Sequence, residues 1–380
     1  MKSAELENLF QYAVAIRRRL HEYPEIGFDL AQTAALVSSE LAGMGIEPTD
    51  RYGRSSVVGE IGQGEKLIAF RADMDALPIE ETTDLPFRSK VPGRMHACGH
   101  DAHTGVLLAA AKYLKAHETE LRCRVRFLFQ PAEEISVSGA KMMTDNGAVD
   151  GVDEIVGIHC QNDLPVGTLG VRAGDYMAAC VPVTVSFFGK TSHATLPQYG
   201  VDAIAMAHEA YGKMKEAVGD EAGQAKYIWS VGTFTGGKAH NVIADHAKMD
   251  ITFRYFDADF ARRAEKRVRE ICAEIAARYG GRCEVSWNES TGALYCDPAV
   301  TARFESAVTD AGIPVRRLPA RMSSEDFAWY LTKTRGMLFR FGTENEALGC
   351  TALPHRSDFK IDEEGLKTGI RAFCLYALHQ

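Results

Sequence analysis

Two hydrophobic periods take turns along the first 160 residues. Leu6, Leu9, Phe10, Ala13 and Ile16 recur at helical spacing, and Ala31–Leu41 reads as a second helix. Short apolar runs follow at Val57–Ile61 and Leu67–Phe70, the latter leading into the acidic turn Asp73-Met74-Asp75. An Ala/Leu-rich helix is expected over Thr104–Lys115. A strand is expected over Cys123–Phe129, and another, Ile155–Ile158, ends in His159. Buried strands alternating with helices build a mostly parallel sheet flanked by helices, an α/β fold whose chemistry gathers at the carboxyl ends of the strands.

Near Val181 the order changes to strand, helix, two strands, helix, strand. The segments are Val181–Phe188, Asp202–Ala217, Tyr227–Thr235, Ala247–Tyr255, a helix striped by Phe260, Ala264, Val268, Ile271, Ile275 and Tyr279, and Cys283–Trp287. This βαββαβ order is a ferredoxin-like α+β module. The chain is therefore expected to hold an α/β domain in two parts, 1–178 and 293–380, interrupted by an inserted α+β domain at 179–292. A length of 380 residues suits two domains.

A formal charge of −8 disfavours a nucleic-acid surface, and no run of eighteen apolar residues suggests a membrane span. The first residues lack the pattern of a secretory signal, and nine cysteines without paired spacing argue against a disulfide framework, so a reducing cytoplasm is expected.

The densest cluster of reactive side chains is Met95-His96-Ala97-Cys98-Gly99-His100-Asp101-Ala102-His103. In an extended segment, Cys98 and His100 point to one side and both can reach one cation, while Asp101 is placed to accept a ligating imidazole's free N–H. Glu133-Glu134 follows Gln130-Pro131 at the end of a strand. The pair reads either as a solvated turn or as one carboxylate on a metal beside a second that moves a proton. His159 at a strand end and His355 in a polar loop complete a set suited to first-row divalent metals, although a lone His at a strand end is more often a satisfied core group and a surface His is an equally natural reading of His355. In the inserted module, His193, Asn241 and Arg254 carry no functional signal from composition alone.

Together these segments resemble the two-metal amidohydrolases that include hippurate hydrolase, auxin-conjugate hydrolases and N-acyl-amino-acid aminoacylases. The resemblance rests on Arg-Ala-Asp-Met-Asp-Ala-Leu-Pro (71–78), Met-His-Ala-Cys-Gly-His-Asp-Ala-His-Thr (95–104) and Phe-Gln-Pro-Ala-Glu-Glu (129–134). It continues through Gly-Lys-Thr-Ser-His-Ala (189–194), Asn-Val-Ile (241–243), Ser-Glu-Asp-Phe (324–327) and Leu-Pro-His (353–355). It implies a zinc-exopeptidase-like catalytic domain with a lid and dimerisation insert. Cys98, His100, Glu134, His159 and His355 would hold two divalent ions per subunit, zinc or manganese with cobalt or nickel as alternatives, and Cys98 would bridge them. Glu133 would be the general base, and His193 would polarise the scissile carbonyl from the partner subunit of a homodimer. Asn241 and Arg254 would hold the substrate carboxylate. The wider superfamily carries a metal-binding His where this chain has Asp73, and Asp75 would orient the site. The implied substrate is a small N-acyl amino acid, bearing an acetyl, benzoyl or arylacetyl group. N-acetyl-diaminopimelate deacetylation or dipeptide cleavage is the alternative within the class. A metal-binding protein without turnover and a cysteine hydrolase using Cys98 are the readings outside it.

Overall fold

The computed structural model describes residues 1–288 and 291–380. The chain divides into two compact units. One comprises Met1–Tyr176, Tyr295–Ala320 and Asp326–Gln380; the other comprises Met177–Leu294 and the short return Arg321–Glu325, which the linear pattern does not announce.

The first unit opens with helices α1 (Ser3–Glu22) and α2 (Ala31–Gly43) and strands β1 (Val57–Ile61) and β2 (Leu67–Asp73). Helix α3 (His100–Ala116), strand β3 (Arg124–Gln130), helix α4 (Gly139–Asp145) and strands β4 (Glu154–Pro165) and β5 (Leu169–Val171) follow. The second unit supplies β6 (Ala179–Phe188), α5 (Ala203–Ala222), β7 (Tyr227–Gly236), β8 (His246–Tyr255), α6 (Ala258–Tyr279) and β9 (Arg282–Trp287). The first unit is then completed by α7 (Pro298–Thr309), β10 (Val315–Arg317), β11 (Arg335–Glu344) and α8 (Gly365–Leu378).

Seven strands of the first unit form one sheet in the order β1-β3-β2-β4-β11-β5-β10. The inner pairs β3–β2, β2–β4 and β4–β11 are parallel, whereas β1–β3 and β11–β5 are antiparallel, so the sheet is mixed but mostly parallel. All seven residues of β2 are buried, as expected of a strand covered on both faces. Successive residues of β4 meet different helices: Ile158 lies close under Gly369 of α8, and a side chain at Gly157 would strike Phe327 of the 3₁₀ segment Asp326–Thr332. Helix α3 is buried nearly all round. At Gly105 the absent side chain lets α1 approach, since a Cβ would sit 2.8 Å from the Ala13 carbonyl oxygen.

The second unit is a four-stranded antiparallel sheet in the order β9-β6-β8-β7, the ferredoxin-like arrangement. Along β6, Val181, Val183, Val185 and Phe187 are buried while the alternating residues are not, so one face packs on α5 and α6. Asp202 and Asp257 cap these helices by accepting backbone N–H bonds, and Gly280 ends α6 in the left-handed conformation. The α6 stripe is buried except at Tyr279, which is exposed.

Candidate metal centre

Three neighbouring parallel strands position part of the site. Beyond β2 lies Asp75, beyond β3 lies Glu133-Glu134, and β4 contributes His159. Asp75 is buried and accepts the backbone N–H groups of Glu133 (2.9 Å) and Glu134 (3.1 Å), which fixes the direction of both side chains. Ala132, just before them, is held at a positive φ of 55°. His355 is also held at positive φ, 68°, and its N–H donates to the Ala97 carbonyl, tying its loop to the one that carries Cys98. Such conformations cost energy for non-glycine residues and collect where function requires a particular geometry.

The donor atoms of Cys98, His100 and His159 all lie within 4.8 Å of one another; the same holds for Cys98, Glu134 and His355, and for His100, Glu133 and Glu134. The Cys98 Sγ is 3.5 Å from His159 Nε2, while His159 Nδ1 donates to the Cys160 carbonyl at 2.6 Å. That bond leaves Nε2 as the nitrogen facing the cluster. His355 Nε2 is 3.1 Å from Glu134 Oε1. His100 is completely buried, and among the described residues neither ring nitrogen has a hydrogen-bond partner. Its neighbours are instead acidic: Asp75 at 3.5 Å, Asp73 and Glu134 at 3.8 Å, and Glu133 at 4.0 Å.

Charge shows what this arrangement is suited to hold. Burial opposes a charge on His100, yet Asp73, Asp75 and Glu134 overcome it and push its pKa up to about 10. Burial, reinforced by Glu134 and Glu133, drives the Cys98 thiol well above its ordinary value. Burial likewise favours ionised Glu134 least, but the hydrogen bond from His355 and the charge of His100 hold its carboxyl below the usual range. Burial and the nearby Arg340 keep His159 neutral, its pKa far below the ordinary imidazole value. Carboxylates converging on an unpartnered imidazole, beside a thiol that only a cation would ionise, form a donor set that fits divalent metal.

Several neighbours are settled structurally rather than chemically. Asp73 is taken by the Arg71 guanidinium (2.6 Å) and by His103 Nδ1 (2.6 Å), and His103 Nε2 accepts the Cys160 N–H at 2.8 Å. Both His103 nitrogens are thus committed. Arg71 also donates to Gln130 and Asp326, and Asp326 accepts from Gln130 and Ser138, so Asp326 ties together β2, β3 and the start of α4. Asp101 does not support a ligating His. It faces α1, where its carboxylate meets His21 Nδ1 at 2.8 Å and Arg17 Nε at 3.2 Å. His159 is also not at a strand end: β4 continues to Pro165.

In the second unit, the 190–194 and 241–243 segments pair with each other. Ala194 N–H donates to the Asn241 carbonyl and Ile243 N–H to the Ser192 carbonyl, which brings His193 and Asn241 together on an exposed edge. His193 Nδ1 is 2.8 Å from the Thr195 hydroxyl oxygen. Arg254, half-buried on β8, donates to the Met322 carbonyl (3.0 Å) and to Ser324 Oγ (3.4 Å).

A mostly parallel sheet with a ferredoxin-like insert and this thiol–imidazole–carboxylate cluster define a metal-dependent hydrolase of the amidohydrolase and aminoacylase kind. The chain belongs to peptidase family M20/M25/M40, whose model matches residues 69–379. It is 35% identical to the thermostable carboxypeptidase 1 of Saccharolobus solfataricus, over 98% of this chain and 96% of that one. It is 36% identical to the N-acetyl-L-cysteine deacetylase of Bacillus subtilis, over 95% and 86% respectively. Its fold matches that of the Bacillus subtilis protein YXEP, described as a dinuclear metal binding peptidase of the M20 family, with a TM-score of 0.85, 33% identity and 98% coverage of both chains. Among the described residues no helix is long and apolar enough to cross a membrane.

Proposed function

We propose that this protein hydrolyses the amide bond of N-acyl amino acids, giving a carboxylic acid and a free amino acid. The observation that carries the reading is the convergence of Cys98, His100, Glu134, His159 and His355, distant in sequence, into overlapping sets of donor atoms within 4.8 Å of one another. These five residues would hold two divalent cations, zinc or manganese, with Cys98 shared between them. When bound, the cations supply Lewis acidity, lowering the pKa of water and polarising a carbonyl oxygen. Glu133, whose backbone N–H Asp75 anchors next to Glu134, would take a proton from the attacking water and pass it to the departing amine.

His193 would donate to the developing oxyanion, and Arg254 with Asn241 would hold the substrate carboxylate. A homodimer through the second unit agrees with the long edge strand β7, most of which is exposed, Phe234 included. Sedimentation showing a fully active monomer would remove the trans role of His193. Cleavage of a peptide's terminal residue by the same centre is the second reading, favoured by the likeness to a carboxypeptidase.

The Glu133→Gln variant tests the proposal. It should retain its metal while kcat for N-acetyl and N-benzoyl amino acids falls by about 10²–10⁴. Hydrolysis that survives exhaustive EDTA and is lost to a thiol alkylator would instead point to Cys98 as nucleophile.

A further inference from the structure

Glu154, the first residue of β4, is completely buried, yet three cations from separate parts of the first unit meet on one of its oxygens. Lys66 Nζ lies 3.2 Å from Oε1, an Arg335 guanidinium nitrogen lies 3.0 Å from it, and Arg303 of α7 donates to the same atom. The Tyr376 hydroxyl of α8 donates to the other oxygen, Oε2. Register explains the meeting. Strand β4 begins between β2 and β11, where Glu154 pairs with Ile68 on one side and with Arg335 on the other. Glu154 stands five residues before His159 on the same strand, roughly 16 Å away, so this cluster is separate from the metal centre.

One carboxylate does not neutralise three cations. Among the described residues none of the three forms an ion pair with a second carboxylate, and the neighbouring Asp153 is turned to the Leu67 N–H at 2.8 Å. Glu60, Glu209 and Glu363 are also shared, but each by two Lys or Arg side chains. The three cations on Glu154 therefore leave a local surplus of two positive charges, on a chain whose net charge is −8. That surplus faces solvent, for the side chains of Lys66, Arg303 and Arg335 are 35%, 42% and 51% exposed. The cations are also held in place. Long cationic side chains lose rotamer freedom when they close on a ligand, whereas here a buried carboxylate already fixes their heads. An anion arriving from solvent meets guanidinium N–H groups in the fork that suits oxyanions. A phosphate group carries about −1.5 to −2 near neutral pH, which matches the surplus, while a single carboxylate balances half of it.

We propose that Lys66, Arg303 and Arg335 form a binding site for a phosphate group, free or carried by a small molecule, at the amino ends of β2, β4 and β11. Calorimetric titration of inorganic phosphate and of methyl phosphate into the metal-loaded protein, at fixed ionic strength, tests it, with Lys66→Gln and Arg335→Gln as variants. Either substitution leaves two cations on Glu154, so the fold survives, and urea unfolding checks that it does. The wild type should bind phosphate with a Kd of about 1 mM or below. Each variant should bind it about 10-fold more weakly, the effect of losing one charge-assisted hydrogen bond. Methyl phosphate bound as tightly as phosphate assigns the site to phosphorylated small molecules; methyl phosphate bound at least about 10-fold more weakly assigns it to the free ion. Phosphate affinity unchanged in both variants would place the anion elsewhere, the metal centre included, and overturn the proposal. A wild type that binds no phosphate would overturn it as well.

Discussion

Asp75 occupies no position that composition would single out, yet one buried carboxylate orders two others. It accepts two backbone N–H bonds and lies 3.5 Å from His100 Nδ1. Asp75→Asn keeps the shape but offers one acceptor oxygen, and its amide N–H₂ would face the Glu134 N–H. Metal affinity should fall about 10- to 100-fold, the usual effect of losing a group that orients ligands, read by competition with a chelating dye. The same scale shows what the sequence conceals. Asp101 follows His100 directly and so invites the role of its supporting carboxylate. Neighbouring helical residues differ by about 100° around the axis, so a helix that aims His100 at the strand ends turns Asp101 away, toward α1. His103, at i+3, shares the His100 face and meets Asp73. Helical geometry applied to 100–103 separates these two residues; linear proximity does not.

At the level of elements, the start of α3 is the most exacting joint in the centre. Gly99 precedes the helix at φ 83°, and a Cβ there would fall 2.4 Å from Cys160 Sγ. Gly99→Ala should cost about 1–3 kcal/mol in urea unfolding and weaken metal binding further, since both neighbours, Cys98 and His100, must shift. A variant as stable as wild type would show that the loop can relax without cost. The βαββαβ insert was legible because its strands alternate inward apolar and outward polar residues, a pattern visible in β6. Strand β4 was legible only as far as His159. From there on the side chains serve the site and its supports: His159 faces Cys98, and the Asn162 amide donates to the Ala352 and Lys360 carbonyls. Once polar groups are satisfied by specific partners, hydrophobic pattern no longer marks a strand.

Across the whole molecule, the central sheet separates a reactive pole from a structural one. Glu154, the first residue of β4, lies at the opposite end of that strand from the centre and is fully buried. Burial works against its ionisation, but Arg303, Tyr376 and Lys66 hold its pKa down to about 2, below the usual 4.5; Arg335 adds a contact at 3.0 Å. A depressed carboxylate stabilises the fold fully above its unfolded pKa, and that contribution is lost as pH falls toward about 2. Glu154→Gln should therefore destabilise by about 3 kcal/mol at neutral pH, with the gap to wild type closing below pH 4.5. Chemical unfolding at a series of pH values measures it, and a gap that is constant with pH would contradict the assignment. At the reactive pole, Cys98, His100, Glu134, His159 and His355 would hold the two cations proposed above. Metal content per chain, determined by mass spectrometry on wild type and Cys98→Ala after dialysis against a weak chelator, tests this most directly. The wild type should retain two ions and the variant at most one; a Cys98→Ala chain that still holds both, or a wild type that holds none, would contradict it.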